Sequence, residues 1–392
     1  MDRTKNATRN IIFGLVLKTY QIIVPFLMRT AMIYFMGVQY LGLNSLFTSI
    51  LQVLNLAELG VGSAMIYSMY RPIAEDDNKT ICALMKLYRT YYRIIGLIIA
   101  IVGCLLTPFI PKLISGEIPN DVNIYILYWL NLAATVLSYW LYAYKNSILQ
   151  ANQRTDVVSK VTLITNTVQY ILQILVLWFF KNYYLYVIVM LATQAVTNIF
   201  TAIVADKFYP HFCPKGKLPK EEVRQINRKI KDLFTAKLGG VVVGSADTIV
   251  ISAFLGLTTL AVYQNYYFIM NSICGFIMVV FSAITAGIGN SLVTESDEKN
   301  YNDFKKFTFI ICFILCVCCC CSGLYQPFMK LWVGEKLMLD FKFVILFCIL
   351  FYCLELAMVW ATVKDAAGMW HSDRFRPLIG ACVNLVMNIV LV

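Results

Sequence analysis

Apolar residues run through this chain in long unbroken stretches. Eleven can be marked, at 10–36, 41–70, 94–113, 122–144, 158–180, 183–205, 234–256, 259–292, 307–327, 342–362 and 377–392. A helix rises about 1.5 Å per residue, so about 20 apolar residues cross the hydrocarbon core of a bilayer. The pattern predicts an all-α polytopic membrane protein.

The first stretch carries two cations, Lys18 and Arg29. Eleven residues at about 100° each return a helix to nearly the same direction. Gly14, Gln21 and Pro25 fall on that side too, so one face is polar, small or kinked. Ile22, Ile23, Phe26 and Leu27 on the remainder suit lipid or packed neighbours. A charge at the bilayer centre costs roughly 2.5–3.5 kcal/mol or more, which turns it towards protein or a wet cavity. Two readings stay open. Lys18 and Arg29 snorkel to opposite headgroup layers, or they form a cationic stripe on a cavity wall facing an anionic substrate.

Composition agrees with the pattern. The chain is 59% hydrophobic and 14% charged, with mean hydropathy +0.69, which no soluble domain needs. A net charge of +11 would suggest nucleic acid in a soluble protein. Here it has another explanation, and no nucleic-acid partner is expected. With the N-terminus on the cytoplasmic side, 25 of the 33 Lys and Arg fall in cytoplasmic segments, five outside, and three (Lys18, Arg29, Lys237) within spans. That asymmetry supports a topology with the N-terminus on the cytoplasmic side. The N-terminus runs straight into a full-length span, with no cleavable signal.

One substantial polar break interrupts the spans, at residues 206–233. Pro210, Pro214, Gly216 and Pro219 make it irregular at first. Lys220 to Leu233 then reads as a basic amphipathic helix with Val223, Ile226, Ile230 and Leu233 on one side. This segment is expected to lie on the anionic lipids of the cytoplasmic leaflet.

The break separates two similar halves. An offset of 219 residues matches Pro108-Phe109 with Pro327-Phe328, Lys18 with Lys237, Phe35-Met36-Gly37 with Phe254-Leu255-Gly256, and Lys145 with Lys364. After Pro108-Phe109 one residue is deleted, so Lys112-Leu113 matches Lys330-Leu331. An offset of 220 matches Glu75 with Glu295 and Lys86 with Lys306. An ordered series of this length argues for duplication, with parallel six-helix repeats. The expected division is a six-helix lobe at 1–209, a cytoplasmic linker at 210–233 and a second lobe at 234–392. Residue 392 corresponds to 173, inside the fifth span, so the second lobe is expected to stop short and the chain to be a C-terminal truncation.

Six charged residues fall in spans beyond the outermost three residues at either end: Lys18, Arg29, Glu58, Lys237, Asp247 and Glu355. In the seventh span Lys237, Gly240, Gly244 and Thr248 share a face with Asp247 at its edge. Arg29 falls within one residue of the repeat equivalent of Asp247, and the two are candidates to pair. Asp247 bonded only to neighbouring helices is the plainer alternative. Glu58, before Gly60 and Gly62, suits either helix packing or gating. The role of Glu355 is open.

Catalytic chemistry is not legible. The two histidines, His211 and His371, have no nucleophile–base partners, and there is no Gly-rich phosphate loop. The outer loops are short, with Glu117, Asp121, Glu335 and Asp340 as their acids, which disfavours an enzyme. Of thirteen cysteines, Cys312, Cys316 and Cys318 to Cys321 crowd one apolar stretch. Consecutive helical residues point around the cylinder and cannot make a tetrahedral metal site. They read as small apolar fillers, and no metal is expected.

Four motifs carry a family resemblance: Gly37-Val38-Gln39-Tyr40-Leu41-Gly42-Leu43, Ala57-Glu58-Leu59-Gly60-Val61-Gly62-Ser63-Ala64, Leu149-Gln150-Ala151-Asn152-Gln153-Arg154, and Gly244-Ser245-Ala246-Asp247-Thr248-Ile249-Val250-Ile251-Ser252. With the two-lobe repeat, they resemble the polysaccharide flippases (Wzx or RfbX type) of the multidrug/oligosaccharidyl-lipid/polysaccharide exporter (MOP) superfamily, whose fold is MATE-like. The resemblance implies two six-helix lobes around a cavity and movement of undecaprenyl-diphosphate-linked oligosaccharide to the outer leaflet. Partners in the same synthesis, a polysaccharide polymerase and glycosyltransferases, are implied too. Under this reading Lys18, Arg29 and Lys237 hold the diphosphate. Glu58 and Asp247 serve gating or coupling, and Gln21, Pro25, Gly240, Gly244 and Thr248 line the cavity. No cofactor is expected, and the coupling ion, Na⁺ or H⁺, is open. A Na⁺- or H⁺-coupled multidrug exporter of the same superfamily is an alternative. A membrane glycosyltransferase or polysaccharide polymerase is one of another class.

Overall fold

The computed structural model describes residues 3–116, 118–367 and 375–391, without the side chains of 3–11 and of several positions between 236 and 366. Glu117, His371 and Arg374 lie outside the described residues.

The described chain is helical throughout, without a strand. Its helices are α1 (Arg3–Phe35), α2 (Val38–Leu54), α3 (Val61–Ala74), α4 (Asn78–Leu106), α5 (Ile124–Trp140), α6 (Asn146–Ala151), α7 (Thr155–Phe179), α8 (Tyr183–Phe208), α9 (Lys220–Thr294), α10 (Asp297–Cys312), α11 (Ile314–Val333), α12 (Phe341–Ala366) and α13 (Arg376–Leu391). All eleven apolar stretches map onto them. Among the described residues seven helices are long and apolar enough to cross a membrane, or eight if the bent pair Ile124–Trp140 and Ala143–Ala151 counts as one span. That number is below eleven because α9 carries two predicted spans in one helical run and the stretch 307–327 straddles the break between α10 and α11. The last stretch, in α13, is short.

Two joints carry the duplication in their backbone. Gly37, between α1 and α2, has φ 112° and ψ 164°, while Gly256, which breaks α9, has φ 84° and ψ 173°. They are the pair matched at offset 219, and a Cβ disfavours this conformation. Gly116 and Gly334, matched after the one-residue deletion, share φ 81°.

Two compact units are formed, one from Met1–Leu257 with Pro377–Val392 and one from Thr258–Arg376. In the first, α1 lies along α7, where Tyr20 and Thr167 share a hydrogen bond of 2.9 Å. The Tyr128 hydroxyl of α5 donates to the Gly103 carbonyl of α4 at 2.7 Å. Asn198 of α8 donates to the Ser138 carbonyl of α5 at 2.9 Å. Leu43, Leu46, Met65, Met85 and Ile148 are fully buried between them. The motif ending in Arg154 closes the turn from α6 into α7, where Arg154 and Lys160 flank the wholly buried Asp156 at 3.0 and 3.5 Å. In the second unit Val262, Tyr266, Met270, Tyr325, Met329 and Phe347 form the core. There the buried Tyr266 hydroxyl donates to Gln326 at 3.0 Å and accepts from the Leu339 amide at 3.2 Å.

Two expectations need correction. The span at 41–70 is not one helix. It breaks at a 3-10 turn, Asn55–Glu58, followed by Gly60 in the left-handed region (φ 87°). Glu58 therefore sits at a break, where the backbone is free of the regular helical ladder. Secondly, the linker helix at 220–233 is the start of the seventh span, continuous with it in α9. On its apolar side Ile226 is buried, Val223 is partly buried, and Ile230 and Leu233 pack against Gly60. A Cβ on Gly60 would lie 2.8 Å from the Leu233 Cβ and 2.9 Å from the Ile230 carbonyl. Tyr91 of α4 donates to Asn227 at 2.6 Å, and Lys229 stands 4.5 Å from the Tyr67 ring centre. An amphipathic pattern reports a buried face without saying whether lipid or protein buries it.

The helix α4 is capped by Asp77, whose carboxylate accepts from the Thr80 hydroxyl and the Lys79 and Thr80 amides. The Thr80 hydroxyl is the main cause that holds this carboxyl below its ordinary range.

Gly60→Ala is expected to lower the thermal midpoint of the detergent-solubilised protein clearly. The left-handed backbone costs about 1–2 kcal/mol with a Cβ, and overpacking against α9 about 1–3 kcal/mol. Gly14→Ala, where a Cβ meets nothing within 4 Å, is expected to leave it unchanged. Equal midpoints for the two variants would show that Gly60 is not held against α9.

Candidate functional site

The break at Gly60 opens a cavity in the first unit. It encloses about 450 Å³ and is lined by Gln52, Asn55, Glu58, Leu59, Gly60, Gly62, Ser63, Lys237, Gly240, Val241 and Gly244. The α9 wall is a single helix face, since 237, 240, 241 and 244 are spaced three and four apart. A Cβ added to Gly240 or Gly244 would meet nothing within 4 Å, so both glycines leave room over the wall. Lys237 reaches across it and donates to the Ser63 hydroxyl at 2.9 Å.

The 3-10 turn aims the opposite wall. Residues three apart eclipse in a 3-10 helix, so Asn55 and Glu58 face the cavity together. Glu58 is clamped by tyrosines from two helices. Tyr139 of α5 donates to Oε2 at 2.6 Å, and Tyr92 of α4 donates to Oε1 in a short bond. Tyr88, four residues before Tyr92, donates its own proton to the Tyr92 oxygen at 2.7 Å. All three rings are buried. The Tyr92 and Tyr139 hydroxyls satisfy both carboxyl oxygens of Glu58 within an apolar span.

Two further cavities continue from this turn. One of about 430 Å³ shares Gln52, Asn55 and Glu58 with the first and adds Tyr92, Asn131, Thr135, Ser138, Tyr139, Gln194 and Asn198 among its walls. The other, of about 290 Å³, shares Met190, Gln194 and Asn198 with the second and adds Asn166, Gln169 and Thr197. A polar path thus runs from Lys237 past Glu58 to the carboxamides of α7 and α8.

The predicted residues divide on this map. Lys237, Gly240, Gly244 and Glu58 line the first cavity together. Lys18, Gln21, Pro25 and Arg29 line none of the three. Lys18 is half-buried on α1, Gln21 is exposed and Pro25 half-buried. Arg29 is partly buried beside Tyr186 of α8. Thr248 is buried in the α9 interior. Asp247 accepts from Asn384 at 3.2 Å and from Asn388 at 2.6 Å, both on α13, so it bonds a neighbouring helix. In the second unit Glu355 is buried, within hydrogen-bond reach of the Cys274 thiol. Among the described residues no three His, Cys, Asp or Glu side chains cluster as metal ligands.

Sequence reasoning passes over the carboxamides. Asn166 with Gln169, Gln194 with Asn198, and Asn384 with Asn388 each stand three or four apart in apolar helices, which is a legible signal. Tyr92 and Tyr139 carry no such mark, because they are two of 24 tyrosines spread widely along the chain.

Solved structures with the same fold are transporters and a flippase. An inward-facing multidrug resistance MATE family transporter of the MOP superfamily aligns with a TM-score of 0.58 at 15% identity, over 97% of this chain and 87% of that one. The lipid II flippase MurJ, in an inward closed conformation, aligns with a TM-score of 0.58 at 13% identity, over 97% and 79%. A MATE protein in a bent conformation aligns with a TM-score of 0.54 at 14% identity, over 100% and 95%. No curated protein sequence matches the chain. The profile of the polysaccharide biosynthesis protein family matches residues 7–286. With that match over most of its length, the chain belongs to the polysaccharide biosynthesis protein family.

Proposed function

We propose that this protein is a flippase that carries undecaprenyl-diphosphate-linked oligosaccharide across the bacterial cytoplasmic membrane, with its N-terminus inside. The observation that supports it best is the polar path with Lys237 at one end and carboxamides at the other. An ammonium suits a diphosphate, and amides suit sugar hydroxyls. Membership of a polysaccharide biosynthesis family supports the saccharide part of the reading. The isoprenoid tail stays in lipid, since pulling it through water costs about 0.8 kcal/mol per methylene. Transport follows alternating access, by movement of the two repeat-related halves. No bond is made or broken.

Lys237 is the diphosphate ligand in this mechanism. Substrate competes with Ser63 for the ammonium, so the resting hydrogen bond is exchanged rather than lost. A multidrug exporter is the second reading, favoured by the carboxylate and tyrosines around Glu58, which would suit an organic cation. The cation of Lys237 on the same cavity opposes it.

In bacteria lacking their own polysaccharide flippase, the full chain is expected to restore surface polysaccharide. Lys237→Ala is expected to lose at least tenfold of it at matched expression, and Lys237→Arg to keep most. Lys18→Ala and Arg29→Ala are expected to cost less than Lys237→Ala. Full restoration by Lys237→Ala would remove it as the diphosphate ligand. Drug resistance gained in place of polysaccharide would favour the exporter.

A second expectation concerns the clamp. Tyr139→Phe should lower the thermal midpoint in the wild-type background and do so much less in Glu58→Gln, because the charge-assisted bond is already gone. Equal drops in both backgrounds would mean that the hydroxyl does not serve Glu58.

A further inference from the structure

We infer that the two cavities beyond Glu58 form a saccharide subsite that selects neutral sugars, bearing hydroxyl and acetamido groups, over sugars bearing a carboxylate. The inference rests on the flippase reading above and deepens it.

Chemistry of the lining carries the argument. The walls of these cavities supply five carboxamides beyond the turn, Asn131, Asn166, Gln169, Gln194 and Asn198. A carboxamide offers donors and an acceptor together, which matches vicinal hydroxyls and matches an acetamido group even better. Among the residues lining the two cavities there is no Lys, Arg or His, and the one charged side chain is Glu58. A sugar carboxylate would enter without a counter-ion and meet a like charge, an arrangement that costs several kcal/mol when desolvated.

Orientation of the amides strengthens the bias. The Asn131 nitrogen donates to the Leu127 carbonyl at 2.8 Å, and the Asn198 nitrogen to the Ser138 carbonyl at 2.9 Å. Both partners are backbone acceptors, so the nitrogen must face them whichever way the amide is drawn. The oxygens of Asn131 and Asn198 are then the atoms left to accept from sugar hydroxyls. Accepting groups welcome a hydroxyl and repel a carboxylate. Tyr92 and Tyr139 add ring surface on which a sugar face can lie. At about 430 Å³ the larger cavity falls within the ordinary range for a small-molecule site.

Lys237 is placed otherwise. It lines the first cavity alone among the three, so anion binding and sugar binding occur at different ends of the path. The diphosphate needs the cation, and the sugar needs its absence.

The test uses the full chain in proteoliposomes and three fluorescent lipid diphosphates. One carries a neutral N-acetylhexosamine disaccharide, one a disaccharide containing a hexuronate, and one no sugar. Transbilayer movement is read by access of a membrane-impermeant reductant. The neutral lipid is expected to cross at least tenfold faster than the uronate. Gln194 is exposed and lines both cavities, so its variants are expected to fold. Gln194→Lys should bring the two rates within about threefold of each other, and movement of the sugar-free lipid serves as the folding control. Gln194→Ala should slow the neutral lipid and spare the sugar-free one. Equal rates for neutral and uronate lipids in the wild type, or a ratio unmoved by Gln194→Lys, would overturn the subsite and leave the flippase standing. If none of the three lipids crosses, the flippase reading falls and the subsite falls with it.

Discussion

The carboxylate of Glu58 stands in an apolar span, and the structure around it follows from how that charge is satisfied. Water is scarce inside a helix bundle, so the donors must come from side chains. Tyr92 and Tyr139 supply them, with Tyr88 behind Tyr92. That clamp draws α4 and α5 onto the end of α2. The clamp coincides with the break in the span: the 3-10 turn eclipses Asn55 and Glu58, so both stand on one side at the end of α2.

The break in turn decides where the cavity lies. Gly60 lets the chain turn back into α3, and the absence of a side chain there lets α9 come close enough for Leu233 and Ile230 to touch it. Because α9 runs unbroken as far as Gly256, the contact near residue 233 sets the position of Lys237, one turn later, and of Gly240 and Gly244 beyond it. A basic segment that could have floated on a lipid surface thus acts as the strut that aims the cation. The same helix fixes Asp247 towards α13, where Asn384 and Asn388 satisfy it.

Duplication gives the chain a second use of the same local solutions. Gly37 and Gly256 adopt similar conformations at matched joints, and Gly116 and Gly334 share φ 81°. The polar equipment did not stay matched. Lys237 lines a cavity, whereas its repeat partner Lys18 is half-buried on α1 and lines none of the three described. Two halves with one backbone plan have diverged in what they present.

Hydrophobic runs alone determined that the chain is a bundle of membrane helices, because a bilayer imposes a length and a polarity that few other sequences meet. The duplication and the special joints were legible for a similar reason: local backbone demands leave glycines and prolines at fixed spacing. Periodicity also identified the buried face of 220–233 and the shared face of Lys237, Gly240 and Gly244. Tertiary structure alone decided what covers each face. A 3.6-residue pattern records that Lys18 and Lys237 lie on polar stripes, but which stripe meets a cavity depends on helices far away in sequence. The clamp on Glu58 joins residues 34 and 81 positions distant, and no local spacing encodes such a meeting.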